Sequence, residues 1–282
     1  MKIAIITGAS SGIGKEFASQ LSNRNDFDEI WLIARRLELL QALSSELNSK
    51  IQRQLFRPVA IDICGKEGVL KFKQFLLTEN EIHKNSANIN SENIKNGIEI
   101  KLLINNAGFG TYGPFEETSV DRQMEMIDLN CTSLTGICGE ALPFLNDGSV
   151  IINTSSLAAF MPLGNFAVYA ASKSYVLSFS IALAAELKER GIKVCALCPG
   201  SVSTEFANVA SNGARKEVKG GIPAENVVRK CLKDAYKGKK TSLYRKKWQF
   251  TAFFSRLVGR YLVARYTYKY HKRPHNSDKN DK

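Results

Sequence analysis

An α/β architecture, a doubly wound parallel sheet with helices on both faces, follows from three features of the chain. Short apolar runs at 3–6, 30–34, 57–61, 101–104, 149–152 and 193–198 alternate with helix-like stretches near 12–24, 37–48, 66–77, 118–145, 167–190 and 223–236. The runs are almost continuously apolar, as strands buried on both faces are. A glycine-rich turn joins the first run to the first helix-like stretch. With 282 residues, 44% apolar and 23% charged, the composition is that of one ordinary globular domain.

In chain order, Met1-Lys2-Ile3-Ala4-Ile5-Ile6 is too short for the apolar core of a signal peptide and reads as the first strand, so no export is expected. Thr7-Gly8-Ala9-Ser10-Ser11-Gly12-Ile13-Gly14 then opens a helix. Free N–H groups at a helix start, with glycines that let a ligand come close, suit the phosphates of a dinucleotide. The second strand ends Ile33-Ala34-Arg35-Arg36, where an NAD site of this kind places an acid on the ribose 2′-hydroxyl. Arginines there favour the 2′-phosphate of NADP(H), with two exposed arginines opening a helix as the plain alternative. Asp62 follows the third strand, placed to accept from an adenine amino group or to cap the next helix.

Glu79 to Glu99 carries six asparagines and few large apolar residues, and reads as a solvated loop insertion before the strand at 101–104. Farther on, Tyr169 and Lys173 lie four apart, hence on one helix face, with Ser156 thirteen residues upstream. An unperturbed phenol titrates near pH ~10, and a lysine ammonium beside it is expected to favour the phenolate. Tyr169 then serves as a general acid and base.

At this point the chain resembles the classical short-chain dehydrogenase/reductase family over roughly residues 1–210. The matching motifs are Thr7-Gly8-x-x-x-Gly12-x-Gly14, Asn105-Asn106-Ala107-Gly108, Asn130, Ser156, Tyr169-x-x-x-Lys173 and Pro199-Gly200. The wording around Gly108 to Phe115 is similar to the bacterial branch with broad or unassigned substrates. The resemblance implies a Rossmann-type fold and carbonyl reduction with Tyr169 as acid, Ser156 on the substrate oxygen, Lys173 on the nicotinamide ribose, and Asn130 in a water-linked proton path. It places Asn105, Ala107 and Gly108 on the adenosine side, with Val202 and Thr204, after Pro199-Gly200, on the nicotinamide amide. Residues 207–222 occupy the family's substrate lid, and Phe109, Leu157, Phe160, Met161, Leu163, Phe166 and Phe206 suit an apolar pocket for a small carbonyl or alcohol. A homo-oligomer is expected.

Six scattered cysteines suit a reducing, cytoplasmic setting. Cys195 and Cys198 form a CxxC inside a buried strand pattern with no partner pair at zinc spacing, so no metal is expected. The three histidines, His83, His271 and His275, are expected in solvent, away from the site. The net charge of +12 is uneven: residues 237–282 hold 14 Lys+Arg against 2 Asp, which leaves the catalytic part, 1–236, neutral. Within that tail, Phe250, Phe253, Phe254, Leu257, Val258, Tyr261 and Leu262 recur at helical spacing and predict one amphipathic helix across 243–270, with a polar, disordered end from His275. Docking of this stripe onto the body or a second subunit, or peripheral contact with an anionic membrane, remain open; nucleic acid is not expected, for lack of a recognition motif.

Overall fold

A computed structural model describes residues 1–87, 97–216 and 220–276. Seven parallel strands form the sheet, in the order β3-β2-β1-β4-β5-β6-β9. They are β1 (Lys2–Thr7), β2 (Glu29–Ala34), β3 (Phe56–Ala60), β4 (Glu99–Asn105), β5 (Val150–Thr154), β6 (Lys193–Leu197) and β9 (Thr241–Ser242). The order reverses between β1 and β4, so the crevice at the carboxyl ends of these two strands is where such a sheet receives a ligand. The short β9 pairs with β6, so residues of the basic tail complete the sheet's edge.

Alternate residues of each strand feed two cores. Ala4 and Ile6 of β1 face α1 (Gly12–Leu21), α2 (Leu37–Ile51) and α8 (Ala224–Tyr236), whereas Ile3 and Ile5 face α3 (Gly65–Ala87), α5 (Leu134–Ala141) and α6 (Ala167–Glu186). Both sets are fully buried, which accounts for the unbroken apolar runs. Although α6 is long and apolar enough to span a membrane by composition, half of that stretch is buried in this core.

Three expectations are corrected. The region 79–99 is not a loop insertion throughout, because α3 continues to Ala87; residues 88–96 lie outside the described part. Glu79 is buried and takes both guanidinium nitrogens of Arg57 at 2.7 Å, which holds its carboxyl below the usual range. Asn80 accepts from the Ile98 N–H at 3.0 Å, guiding the chain into β4. In the sequence these polar residues look solvated because their partners are distant along the chain.

The helix expected over 118–145 is interrupted. Between α4 (Val120–Ile127) and α5, residues Asp128–Ser133 form a wide π turn that carries Asn130. Such a bulge re-aims one side chain at a functional site.

The single tail helix is two, α9 (Lys246–Phe254) and α10 (Arg260–Tyr270). The apolar pattern runs through the break, but Gly259 starts the second helix and lowers helix propensity there. Only part of the tail docks: Trp248 and Ala252 are buried, while Phe250, Phe253, Leu257, Tyr261 and Leu262 are each more than 60% exposed.

One buried amide tests this packing. Asn48 accepts from the Leu55 and Phe56 N–H groups at 2.9 and 2.8 Å and donates to the Phe56 carbonyl at 2.9 Å, tying α2 to β3. Asn48→Ala should lower stability by about 2–3 kcal/mol in urea unfolding, because the Phe56 N–H and carbonyl lose their partner and the Leu55 N–H keeps only the Arg53 carbonyl. A loss below about 0.5 kcal/mol would contradict this role.

Candidate active site

The glycine loop follows from backbone geometry. Gly8 and Gly12 have φ of +65° and +55°, where a side chain is strained. A Cβ on Gly14 would lie 2.1 Å from the Gly8 carbonyl oxygen, so this glycine serves close packing and does not line the cleft. Ser11 caps α1 with extended backbone and makes no side-chain cap bond. With no acidic residue in the first turn, the helix start suits an anion.

Thr7 also stands behind the surface. Its hydroxyl accepts from the Asn106 and Ala107 N–H groups at 3.0 and 3.1 Å, clamping the loop after β4 to the glycine loop. Asn105, expected on the adenosine side, instead points into the core and donates to Asn153 at 2.9 Å. Asn106 lines the cleft in its place. Within an Asn-Asn pair at a strand end, the period of two decides which residue faces in, and the strand's last residue set the phase.

Gly8, Ser10, Ser11, Gly12, Ile13, Arg35, Arg36, Asp62, Ala107, Gly108, Pro199, Gly200, Val202 and Thr204 all border one cavity of about 1020 Å³. Arg36 donates to the Ser10 hydroxyl at 3.0 Å and lies 3.8 Å from Glu205, while Arg35 lies 4.0 Å from Glu125. Asp62 accepts from the Cys64 N–H at 3.1 Å, a local turn bond. This donor set, two guanidiniums beside a glycine cradle, fits a phosphorylated dinucleotide.

The same cavity continues to Ser156, Tyr169 and Lys173. Ser156 closes β5's following turn, with its hydroxyl accepting from the Ala158 N–H at 3.1 Å. Tyr169 and Lys173 are 7% and 4% exposed on one face of α6. The Lys173 ammonium donates to the Thr154 carbonyl at 2.9 Å and lies 5.7 Å from the centre of the Tyr169 ring. Asn130 accepts from the Phe109 N–H at 3.1 Å and donates to the Phe109 carbonyl and the Ser172 hydroxyl. A Cβ on Gly108 would come within 2.6 Å of the Asn130 amide oxygen and 3.3 Å of the Lys173 ammonium, so glycine permits their approach.

The expected phenolate is corrected. Burial pushes the Tyr169 phenol well above its ordinary value, opposed by the Ser156 hydroxyl and by the charge of Arg273, with Lys173 not among the influences. Lys173's own charge is spent on the Thr154 carbonyl, and burial brings its pKa down to about 8. Tyr169 is therefore a neutral phenol, a proton donor, at neutral pH.

At the substrate end, Phe166 stacks on Tyr169 with ring centres 4.1 Å apart, and Phe206 and Tyr112 complete the aromatic wall. Phe109, Leu157, Met161 and Leu163 also border the cavity, whereas Phe160 does not. The stretch 207–222, expected as a lid, carries most of α7 (Phe206–Ala210) and runs on to β8 (Ile222–Pro223), which pairs with β7 (Val202–Ser203) just before it; residues 217–219 lie outside the described part.

The tail contributes side chains that pattern reading missed. Trp248 of α9 packs against Gly200, where a Cβ would meet the indole at 2.5 Å. His271 and Arg273 border the cavity, so His271 does not stand away from the site, whereas His275 contacts Glu117 at 3.0 Å outside the lining. Lys272-Arg273-Pro274 reads as solvated sequence; only its position over the aromatic wall reveals a role.

The family model described as short chain dehydrogenase matches residues 2–214. Serine 3-dehydrogenase of Rhizobium radiobacter is 32% identical over 216 residues, covering 74% of this chain and 75% of that protein. Among solved structures, a short-chain dehydrogenase from Sphingobium yanoikuyae in complex with NADPH superposes with a TM-score of 0.73 at 24% identity, covering 91% of this chain and 94% of that one. One from Burkholderia phymatum in complex with NAD gives 0.75 at 19% identity, covering 98% and 96%. At these identities the two structures report the fold.

Lys173 makes a pH signature. Its pKa falls from the ordinary 10.5 to about 8 on folding, so the unfolded chain binds the proton more tightly. The stabilising contribution is complete above 10.5 and is lost as pH falls through 8. Between about pH 7 and 9.5, urea unfolding should show the native chain gaining stability relative to Lys173→Met. Parallel curves for the two proteins would contradict the burial of a charged ammonium.

Proposed function

The chain belongs to the short-chain dehydrogenase family of oxidoreductases, and from that premise we propose that it is an NADP(H)-dependent enzyme interconverting a ketone or aldehyde and the corresponding alcohol on a substrate with an apolar body. One observation carries this reading: a single cavity runs from Arg35 and Arg36, past the glycine cradle, to Ser156, Tyr169 and Lys173. When bound, the coenzyme supplies the hydride. Tyr169 donates the phenol proton to the carbonyl oxygen, and the Ser156 hydroxyl hydrogen-bonds that same oxygen as negative charge develops on it. Lys173 holds the nicotinamide ribose hydroxyls. Asn130 shapes the loop at Gly108 and, through water, returns a proton toward Lys173. Because burial keeps Tyr169 protonated, reduction is the direction its resting state serves.

Support for NADP(H) over NAD(H) comes from the absence of a carboxylate at the end of β2 and the presence of two guanidiniums there. Arg36→Ala and Arg35→Ala, assayed with both coenzymes, should reduce kcat/KM for NADPH by about tenfold or more, with NADH activity kept. An unchanged NADPH preference in both variants would contradict the assignment.

A second reading concerns place. The exposed Phe250, Phe253, Leu257, Tyr261 and Leu262 lie among Lys246, Arg256, Arg260 and Arg265, the composition of a surface that rests on anionic lipid. The six thiols, all free, support a reducing, cytoplasmic setting for that contact. In flotation, the protein should rise with vesicles containing phosphatidylserine and not with purely zwitterionic ones. Failure to rise with either, together with a dimer in light scattering, would assign the stripe to a second copy of the chain.

A further inference from the structure

The segment 267–276 straps three walls of the substrate pocket together. On the first wall, Gly164 N–H donates to the Thr267 hydroxyl at 2.9 Å and the Asn165 amide donates to the Tyr268 carbonyl at 3.0 Å. A Cβ on Gly164 would sit 2.4 Å from that of Tyr268, so the contact requires glycine. On the second, His275 meets Glu117 at 3.0 Å and packs against Gly113, whose φ of +124° also excludes a side chain. On the third, the Asn276 N–H donates to the Ser211 carbonyl and its amide to that of Asn212, at 3.0 and 2.8 Å.

This strap carries Arg273 over the aromatic wall. The guanidinium carbon lies 4.8 Å from the centre of the Phe166 ring and 5.2 Å from that of Tyr112, and Phe166 in turn stacks on Tyr169. Stacking engages the face of a guanidinium and leaves its N–H groups, which point in the plane, in need of acceptors. One terminal nitrogen of Arg273, Nη1, is buried with no hydrogen-bond partner among the described residues. Arg273 also borders the cavity that holds Tyr169. A buried donor on a permanent cation is costly to leave unmade, more so than a neutral one. The ring faces orient it; they do not satisfy it.

We propose that Arg273 is a specificity-determining residue that receives an oxyanion, a carboxylate or its like, at the far end of the carbonyl substrate. The substrate thus has a carbonyl at Tyr169, an apolar spacer of a few carbons along Phe166, and an anionic terminus on the strap. The proposal deepens the reductase reading and rests on it. Arg215, which borders the same cavity, adds positive potential on that side and bears on Arg273 as a like charge. Burial and that neighbour bring the Arg273 pKa down, an effect that an incoming anion reverses.

Matched medium-chain oxoacids and their methyl esters test this, with binding measured by calorimetry on the full chain in the presence of oxidised coenzyme. The native chain should bind the acids at least about tenfold tighter than the esters. Arg273→Gln should weaken the acids to the level of the esters and leave the esters unchanged, and Arg273→Lys should recover part of the difference. Equal binding of acid and ester by the native chain, no binding of either, a preference surviving in Arg273→Gln, or equal weakening of both ligands would each overturn the proposal. Turnover separates this from the reading beneath it: esters reduced as well as acids leave the reductase standing without the anion site, whereas no reduction of either with NADPH or NADH counts against the reductase.

Discussion

A lysine ammonium held inside the protein by the Thr154 carbonyl is the constraint on which the site depends. Lys173 reaches from α6 to the end of β5 and so fixes the rotation of the helix against the sheet. That rotation places Tyr169, one turn earlier, toward the cavity and beside the turn that presents Ser156. Gly108 and the π turn at Asn130 are needed because nothing larger fits between the amide and the ammonium. Both buried groups cost stability, and the packing of two apolar cores around the sheet offsets it.

Much of this was legible in the chain itself. Strands buried on both faces leave a run of apolar residues, and a turn with positive φ at Gly8 and Gly12 demands glycine, so β1 to β6 and the glycine turn are legible in the sequence. Tyr169 and Lys173 were legible because four residues make one helical turn. What failed were features set by distant partners. Glu79 and Asn80 look solvated until Arg57 and Ile98 arrive from elsewhere in the fold. Asn105 and Asn106 differ only in the phase of a strand end. The break at Gly259 hides inside an apolar pattern that continues past it. The electrostatics of Tyr169 reads from the sequence as a matter of its neighbour Lys173, yet burial sets its direction, with Ser156 and Arg273 of the distant tail opposing it.

The tail changes what the pocket is. Trp248 packs against Gly200, β9 extends the sheet from β6, and the segment 267–276, from the last turn of α10 onward, ties the loop at Gly164 to Ser211. The tail thus adds Arg245, Lys247, Trp248, Thr251, His271 and Arg273 to the lining of a cavity otherwise bordered by residues up to Ile222. The arginines and glycines at one end of the cavity come from the turns after β1 and β2, whereas Tyr169, Phe206 and Arg273 at the other end come from beyond β5.

The proposed reaction rests most on the Tyr169 phenol, which borders the same cavity as Ser156 and Lys173. Removing one hydroxyl tests that claim most directly: Tyr169→Phe, assayed for carbonyl reduction alongside coenzyme binding by NADPH fluorescence. Turnover should fall by about a thousandfold or more while coenzyme affinity stays within a few-fold. A phenylalanine variant that still reduces substrate at close to the native rate would contradict the account.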